Sequence, residues 1–202
     1  MKLSVIIPTY NEQDSIADCL NSLLSQSKQA EIILVDDSST DKTIEIIKKF
    51  PVKVLTQKHQ GPGPARNLGA SKATGDILIF VDADMTFDKG FLKNLSLPII
   101  KKETKGTFNT AEFVSNWDNR WAQCWNLNQN LKDKNRLNPN SKHDTKDFRA
   151  ILKTEFQKAG GFSKSGDYTD SQSLSLKLGY NPTPVKNAIS FHKKSRNTYR
   201  SF

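Results

Sequence analysis

The 202-residue sequence predicts an α/β protein built on a mostly parallel sheet that is flanked by helices. In the first half, short apolar segments rich in β-branched residues alternate with segments whose apolar residues recur at helical spacing. This is the pattern of parallel strands covered on both faces by helices. Polar residues also cluster directly after three of the four predicted strands, where ligands bind in such sheets. The length fits one domain with a substantial core.

Four strands are predicted before residue 92. Each is a short run of valine, isoleucine and leucine, and Pro8 is expected to end the first one. The predicted strands are Leu3–Ile7, Glu31–Val35, Val52–Leu55 and Asp76–Val81.

Three helices are predicted between these strands. Apolar residues in the segment 16–24 indicate an amphipathic helix of about 14 residues. Asp41 can cap a second helix, whose inner face is expected to carry Ile44 and Ile47. A loop rich in glycine and proline leads into the third helix, residues 65–73.

The second half, residues 93–202, has a weaker pattern. Trp117, Trp121 and Trp125 follow at spacings of four, which predicts that the three indoles lie near one face of a helix. Packing in the core is the favoured interpretation, with a wall of an acceptor pocket or a membrane contact as alternatives. Residues 132–146 lack apolar periodicity and predict a flexible loop.

The composition is that of a soluble globular protein, with 36% hydrophobic and 25% charged residues. No apolar run reaches the ~20 residues that a membrane helix needs. Residues 1–8 are interpreted as a first strand, not a signal peptide. Cys19 and Cys124 are too few for a disulfide scaffold or a cysteine zinc site, so we expect reduced, packed thiols and a cytoplasmic location.

Charge is distributed unevenly along the chain. Residues 1–92 contain 10 Lys/Arg and 12 Asp/Glu, whereas residues 93–202 contain 20 and 9. The second half is therefore expected to face an anionic partner, and nucleic acid, lipid headgroups and phosphorylated substrates all remain open. The alternative is a solvated basic face that only aids solubility.

Two carboxylates, Asp82 and Asp84, directly follow the apolar segment 77–81. Placed at the end of a strand, they can share a hard divalent cation such as Mg²⁺ or Mn²⁺ that also binds two phosphates. The alternative is a turn in which each aspartate bonds its own backbone. The preceding apolar strand favours the metal interpretation.

Four segments that occur in this order resemble the family-two glycosyltransferases, which have the GT-A fold. The segments are residues 4–12, 35–41, 63–69 and 80–84. The resemblance implies a Rossmann-like sheet and a single GT-A domain over residues 1–202. In that domain residues 1–92 would bind the nucleotide-sugar, and residues 93–202 would form a C-terminal acceptor-side region.

The resemblance also implies roles for residues after the first two strands. Pro8, Thr9, Tyr10 and Glu12 would line the nucleoside pocket. Asp37 would accept a hydrogen bond from the base. The preceding residue, Asp36, would be an internal structural partner.

Further roles concern the diphosphate and the metal. Arg66 follows a glycine-rich loop and would meet the diphosphate or a base edge, with a plain surface arginine as the alternative. Asp84 would be the main metal ligand, and Asp82 would contact the ribose or the water shell of the metal. His192 resembles a C-terminal histidine that completes this metal site; the alternative is a packed or surface histidine.

The implied reaction uses a UDP- or GDP-sugar donor and Mn²⁺ or Mg²⁺. A divalent cation would neutralise the charge that develops on the departing nucleotide diphosphate. The family inverts the anomeric carbon in one displacement, so the acceptor hydroxyl needs a general base.

The expected base is where this sequence departs from the family pattern, an Asp preceded by Glu and followed two residues later by an apolar residue. Residues 159–162 resemble the segment before that pair, and counting back from Leu174 places Asp170 at the Glu and Ser171 at the catalytic Asp. A serine there predicts an impaired or altered enzyme. A register shifted by one makes Asp170 the base, with Asp167 as a weaker candidate, and we predict Asp170 because the reaction needs a carboxylate.

Other functions remain as alternatives. A sugar nucleotidyltransferase would favour a glycine-rich triphosphate loop where this chain has residues 8–12. A catalytically impaired protein that only binds nucleotide-sugar is indicated by Ser171. No motif for nucleic-acid binding is present, so that partner is not expected. We expect an anionic or lipid-linked acceptor, with peripheral contact at the inner face of the cell membrane.

Overall fold

The computed structural model describes residues 1–26, 30–131, 133–137, 147–163 and 173–193. The strands are β1 (Leu3–Thr9), β2 (Glu31–Asp36), β3 (Lys53–Thr56), β4 (Ile77–Phe80), β5 (Met85–Phe87), β6 (Gly106–Val114), β7 (Ala150–Leu152) and β8 (Thr183–His192). The helices are α1 (Ile16–Leu24), α2 (Thr43–Ile47), α3 (Pro62–Lys72), α4 (Phe91–Ile100), α5 (Arg120–Asn128), α6 (Lys153–Lys158) and α7 (Ser173–Leu178).

The eight described strands form one sheet in the order β3-β2-β1-β4-β7-β6-β8-β5. β3, β2, β1 and β4 run parallel, as the alternating pattern of the first half predicts. β7 is antiparallel to both β4 and β6, β8 is parallel to β6, and β5 is antiparallel to β8. The predicted α/β class with a mostly parallel sheet is confirmed, and the second half of the chain adds the antiparallel pairings.

Helices cover both faces of the sheet, and β1 shows why. Val5 and Ile7 point into a core shared with α1 and α4, while Ile6 points into a second core shared with α3 and α6. All three side chains are fully buried. Because side chains alternate along a strand, a continuous apolar run supplies both cores at once.

The first strand continues through Pro8 to Thr9, so the prediction that Pro8 ends it is wrong. The carbonyl of Ile6 accepts a hydrogen bond from the amide of Val81, on the β4 side of β1. The backbone nitrogen of Pro8, two residues later, points to the same side. The pairing of β1 with β4 ends at Ile6. The missing N–H of Pro8 therefore costs no ladder hydrogen bond.

The predicted helices exist, with different bounds. α1 has nine residues, which is shorter than expected. Asp41 Oδ1 accepts a hydrogen bond of 2.9 Å from the amide of Thr43, the first residue of α2. α3 begins at Pro62, inside the predicted loop, because proline is well suited to the first turn of a helix.

The tryptophans do not form the predicted stripe. α5 begins after Trp117, and Trp121 is 59% exposed, so core packing is wrong for Trp121. The side chain of Trp125 lies outside the described part of the chain. Cys19 is buried as expected, but Cys124 is exposed on α5.

Within the predicted loop 132–146, the described residues 133–137 lie along β6. The amide of Val114 donates to the carbonyl of Lys134, and the amide of Arg136 donates to that of Glu112. Residues 132 and 138–146 lie outside the described part. No described helix combines the length and apolarity that crossing a membrane requires.

Candidate active site

The candidate site lies at the carboxyl ends of β1, β2 and β4, where the sequence predicts it. The loops after β1 and β2 are held together by reciprocal hydrogen bonds. The amide of Asn11 donates to Ser39 Oγ (3.0 Å), and the amide of Thr40 donates to Asn11 Oδ1 (2.8 Å). Asn11 has a φ of 54°, a left-handed conformation that asparagine tolerates. These contacts hold the loops after β1 and β2 together at the edge of the sheet that carries the other candidate site residues.

Asp37 is buried and accepts hydrogen bonds from the segment between β3 and α3. Oδ1 accepts from Gln57 Nε2 (2.7 Å) and from the amide of Gln60 (2.9 Å), and Oδ2 accepts from the amide of Gly61 (2.8 Å). His59 Nδ1 lies 2.9 Å from Oδ2. A base that donates to Asp37 therefore has to replace one of these partners, and the Gln57 and His59 side chains are the ones that can move.

Tyr10 and His59 form an aromatic pair beside Asp37. Their ring centroids are 4.3 Å apart, and Tyr10 is 44% exposed. An exposed aromatic surface next to a buried carboxylate is suited to a planar base that stacks and donates a hydrogen bond. By contrast, Thr9 is 2% exposed and Asp36 accepts from the amide of Ser39, so both are structural in this conformation.

Arg66 faces Asp82 after the fourth strand. Arg66 Nη2 lies 2.6 Å from Asp82 Oδ1, and its side chain is only 14% exposed, so the surface-arginine alternative is wrong. Burial alone would raise the pKa of Asp82, but Arg66 and then Arg149 hold this pKa well below its ordinary value. Asp82 is therefore ionised and already has cationic partners, which makes it a weaker candidate metal ligand than Asp84.

Asp84 and His192 meet although they are far apart in sequence. β5 pairs with β8, so that Met85 lies opposite His192, and the amide of Lys193 donates to the carbonyl of Asp84 (2.9 Å). His192 Nδ1 lies 3.0 Å from Asp84 Oδ2. The family resemblance implies that both residues belong to one metal site, and the structure brings them together.

The geometry of this pair fits a shared cation. His192 Nδ1 is buried, and its nearest polar neighbour is the Asp84 carboxylate, 3.0 Å away. A ring nitrogen and a carboxylate oxygen at this separation can also both bind one divalent cation, whose bonds to such ligands are about 2.0–2.2 Å long. Among the described residues no group of three or more His, Cys, Asp or Glu could hold a metal ion. Any bound cation therefore needs further ligands from substrate and water, as Mg²⁺ commonly does.

Glu12 belongs to the same end of the site. Burial raises the pKa of Glu12 to about 7, and the nearby Asp84 and Asp82 add to this effect. A hydrogen bond from Ser15 Oγ and the proximity of His192 oppose it. Glu12 was predicted to line the nucleoside pocket, yet electrostatically it interacts with the Asp84–His192 pair and titrates near neutral pH.

A cleft of about 270 Å³ opens on the other side of Asp84. It is lined by Ser15 and Asp18 at the start of α1, and also by Ser115, Asn116 and Lys193. Lys193 Nζ donates to the carbonyl of Asp14 (2.8 Å), which ties the end of β8 to the start of α1. The cleft gives polar molecules access to Asp84.

The structure therefore assembles two groups from the predicted residues. Tyr10 and Asp37 lie at one end, and Arg66, Asp82, Asp84, His192 and Glu12 lie at the other. Asp170, Ser171 and Asp167 lie outside the described residues, so their roles stay predictions.

Two residues at the site were not expected from the sequence. His59 touches Asp37 and Tyr10, and Arg149 touches Asp82. His59 lies just before the glycine-rich loop, and this position could have marked it as a candidate site residue. Arg149 stands in the half of the chain where no motif marked it.

Comparison with known proteins gives a consistent result. The model of the family described as glycosyl transferase family 2 matches residues 4–160. Poly(ribitol-phosphate) beta-N-acetylglucosaminyltransferase TarS from Staphylococcus aureus is 40% identical over 103 residues, which cover 46% of this chain and 18% of TarS. Poly(ribitol-phosphate) beta-glucosyltransferase from Bacillus spizizenii is 39% identical over 94 residues, which cover 42% of this chain and 15% of that protein. The chain thus matches less than a fifth of the length of either curated relative.

A solved structure shows the same fold. The crystal structure of S. aureus TarS 1–349 in complex with UDP-GlcNAc has a TM-score of 0.77 and 23% identity. The match covers 100% of this chain and 62% of that one. At this identity the likeness shows the fold, and it confirms the expected GT-A architecture.

Proposed function

Because the chain belongs to glycosyl transferase family 2, we propose that it transfers a sugar from a nucleotide-diphosphate donor to an acceptor hydroxyl. The proposed reaction inverts the anomeric carbon and depends on Mn²⁺ or Mg²⁺. The observation that carries this proposal is the meeting of Asp84 with His192 beside the Arg66–Asp82 pair. A carboxylate, an imidazole and an arginine at the end of parallel strands suit a bound diphosphate.

The donor is proposed to be a UDP-sugar, with a GDP-sugar as the alternative. Support comes from the fold of TarS, which was solved in complex with UDP-GlcNAc. In this chain the base would stack on the exposed ring of Tyr10 and donate to Asp37 after displacing His59 or Gln57. The nucleotide would then run along the edge of the sheet toward Arg66.

Four side chains have separate proposed roles toward the cation, the ribose and the diphosphate. Asp84 and His192 would hold the divalent cation, which when bound offsets the negative charge of the departing diphosphate. Asp82 is ionised and can accept a hydrogen bond from a ribose hydroxyl. Arg66, with its planar set of donors, would contact a phosphate oxygen.

The acceptor hydroxyl must lose its proton as it attacks. Asp170 is the proposed base, since a carboxylate can take this proton and serine cannot. Attack on the face opposite the departing diphosphate would give inversion in one displacement.

The acceptor is proposed to be anionic. Two of the curated relatives described above are named for poly(ribitol-phosphate), a phosphate-containing polymer. Residues 93–202 contain 20 Lys/Arg against 9 Asp/Glu, which suits a polyanion or a lipid-linked phosphate. A lipid-linked acceptor would also place the protein at a membrane surface.

Titration calorimetry with UDP tests the donor site. We expect binding that is at least tenfold tighter with Mn²⁺ than with a chelator, and we expect Asp84→Ala to remove this dependence. Asp88→Ala is the matched control, because Asp88 is an exposed aspartate outside the cluster. An Asp84→Ala variant that kept the full effect of Mn²⁺ would exclude Asp84 as the metal ligand.

A protein that binds nucleotide-sugar without transferring it is the second candidate, and Ser171 at the family's base position favours it. Release of UDP from UDP-GlcNAc, with and without an added poly(ribitol-phosphate) acceptor, separates the two. Tight UDP binding without turnover would support the non-catalytic function.

A further inference from the structure

A chain of charged side chains leads from the candidate donor site into the second half of the protein. Asp82 Oδ1 faces Arg66, and Asp82 Oδ2 lies 3.6 Å from Arg149 Nη1. Arg149 Nη2 donates to Glu112 Oε2 (3.2 Å), and Glu112 Oε1 lies 2.7 Å from Arg136 Nε. Glu112 is 5% exposed, so its two ion pairs with Arg149 and Arg136 are screened less by water than surface pairs are.

Arg149 is held in place from several sides. Its Nε donates to Asn109 Oδ1 (3.3 Å), and the Nδ2 of that asparagine donates to Ser190 Oγ (2.8 Å) on β8. Its backbone joins β4 and β6, because the amide of Phe80 donates to the carbonyl of Arg149 and the amide of Arg149 donates to Thr107. The guanidinium therefore has a fixed direction and is only 19% exposed.

We propose that Arg149 is a positioning residue that sets the orientation of Asp82 for the nucleotide donor; this rests on the proposed function. An arginine and a carboxylate favour a fork in which two N–H groups bind two oxygens. Here Arg66 contacts one oxygen of Asp82, and the other oxygen faces Arg149. Without Arg149, Asp82 would turn and form the full fork with Arg66, which withdraws both side chains from the donor.

Glu112 is what limits the contact of Arg149 with Asp82. It occupies the second terminal nitrogen of Arg149 and is itself held by Arg136. Arg149 is thus shared between two carboxylates and cannot form a fork with Asp82. A lysine could not replace it, because a single ammonium cannot span Glu112, Asn109 and Asp82.

The test compares two arginines that share Glu112. Arg149→Met removes the partner of Asp82, whereas Arg136→Met removes an arginine from the same glutamate without touching Asp82. We expect Arg149→Met to weaken UDP binding in the presence of Mn²⁺ about tenfold, the size of one charge-assisted hydrogen bond. Arg136→Met should bind UDP within about twofold of the wild type, although it lowers the melting temperature.

A double variant separates positioning from general destabilisation. In an Asp82→Asn background, Arg149→Met should cause no further loss of UDP affinity, because the carboxylate that it orients is gone. If Arg149→Met does not fold, Arg149→Lys gives the same comparison and should still bind several-fold more weakly than the wild type.

The outcomes are distinct. Wild-type protein without UDP affinity would overturn the proposed function, and this inference with it. Wild-type affinity in Arg149→Met, or an equal loss in Arg136→Met, would overturn the inference and leave the proposed function standing.

Discussion

Gly161 and Gly160 offer a pair of substitutions that differ in one contact. Both glycines have a positive φ, 76° and 70°. A Cβ at Gly161 would lie 2.5 Å from Asn67 Oδ1, whereas a Cβ at Gly160 would meet nothing within 4 Å. Asn67 cannot simply move aside, since its Nδ2 donates to the carbonyl of Phe162 (3.0 Å) and its Oδ1 accepts from the amide of Phe162 (2.9 Å).

The magnitudes follow from these contacts. An alanine at either position carries a backbone penalty of about 1 kcal/mol for the left-handed conformation. Gly161→Ala also displaces Asn67 and loses two hydrogen bonds at about 1 kcal/mol each. We therefore expect Gly161→Ala to reduce the free energy of unfolding by about 2 kcal/mol more than Gly160→Ala, or about 4–8 °C in melting temperature.

Urea unfolding followed by tryptophan fluorescence measures the difference, provided that the m-value stays constant. The Asn67→Ala background supplies the control. There the extra cost of Gly161→Ala should vanish, because no side chain remains to be displaced. Equal losses for the two glycine variants in the wild-type background would refute this account of the Asn67 contact.

Three further predictions concern the surface, the base and the membrane. Glu31 accepts hydrogen bonds from Ser4 Oγ (2.7 Å) and from the amide of Thr74 (2.8 Å), and these outweigh burial and lower its pKa. Glu31→Gln should therefore cost about 1 kcal/mol of unfolding free energy at pH 7. The difference should begin to fade as the pH falls below the unfolded-state pKa of about 4.3 and should disappear only below the lowered native pKa; a difference that persists in stronger acid contradicts this. Asp170→Asn should reduce initial rates by about 10²–10⁴-fold with UDP binding unchanged, whereas a gain from Ser171→Asp with no loss from Asp170→Asn would assign the base position to Ser171. Co-sedimentation with vesicles should rise with anionic lipid and fall with salt, and indifference to both would favour a soluble acceptor.

Most of the first half of the fold could be predicted because four of its strands and three of its helices carry their own local signals, whereas β5, which pairs with the distant β8, was not predicted. Apolar runs mark β1, β2 and β4, and short polar segments mark their carboxyl ends. The second half could not be predicted in the same way, because β6, β7 and β8 depend on pairings between distant segments. Trp121 shows that residue spacing alone does not predict burial. The repeat of four residues indicated a buried stripe of tryptophans, but α5 begins at Arg120, after Trp117.

The same distinction applies to the site. Asp82, Asp84 and Arg66 stand in recognisable motifs, so their chemistry could be predicted. His192 could be assigned to the proposed metal site only through the family resemblance, since its contact with Asp84 arises from the pairing of β5 with β8. Arg149 and Glu112 carry no local signal at all, because their role depends on which strands become neighbours.

The contact between Asp84 and His192 also has a consequence for folding order. One partner follows the fourth strand, and the other closes the last described strand, so the pair forms only after β8 has docked against β5. Contacts of such high sequence separation carry a large loop-closure cost and tend to form late. A nascent chain can therefore form the loops after β1 and β2 before the Asp84–His192 contact, the proposed cation site, has formed. Joint binding of cation and nucleotide would then indicate that β8 has paired with β5. Such binding would stabilise the folded chain only after this pairing has formed.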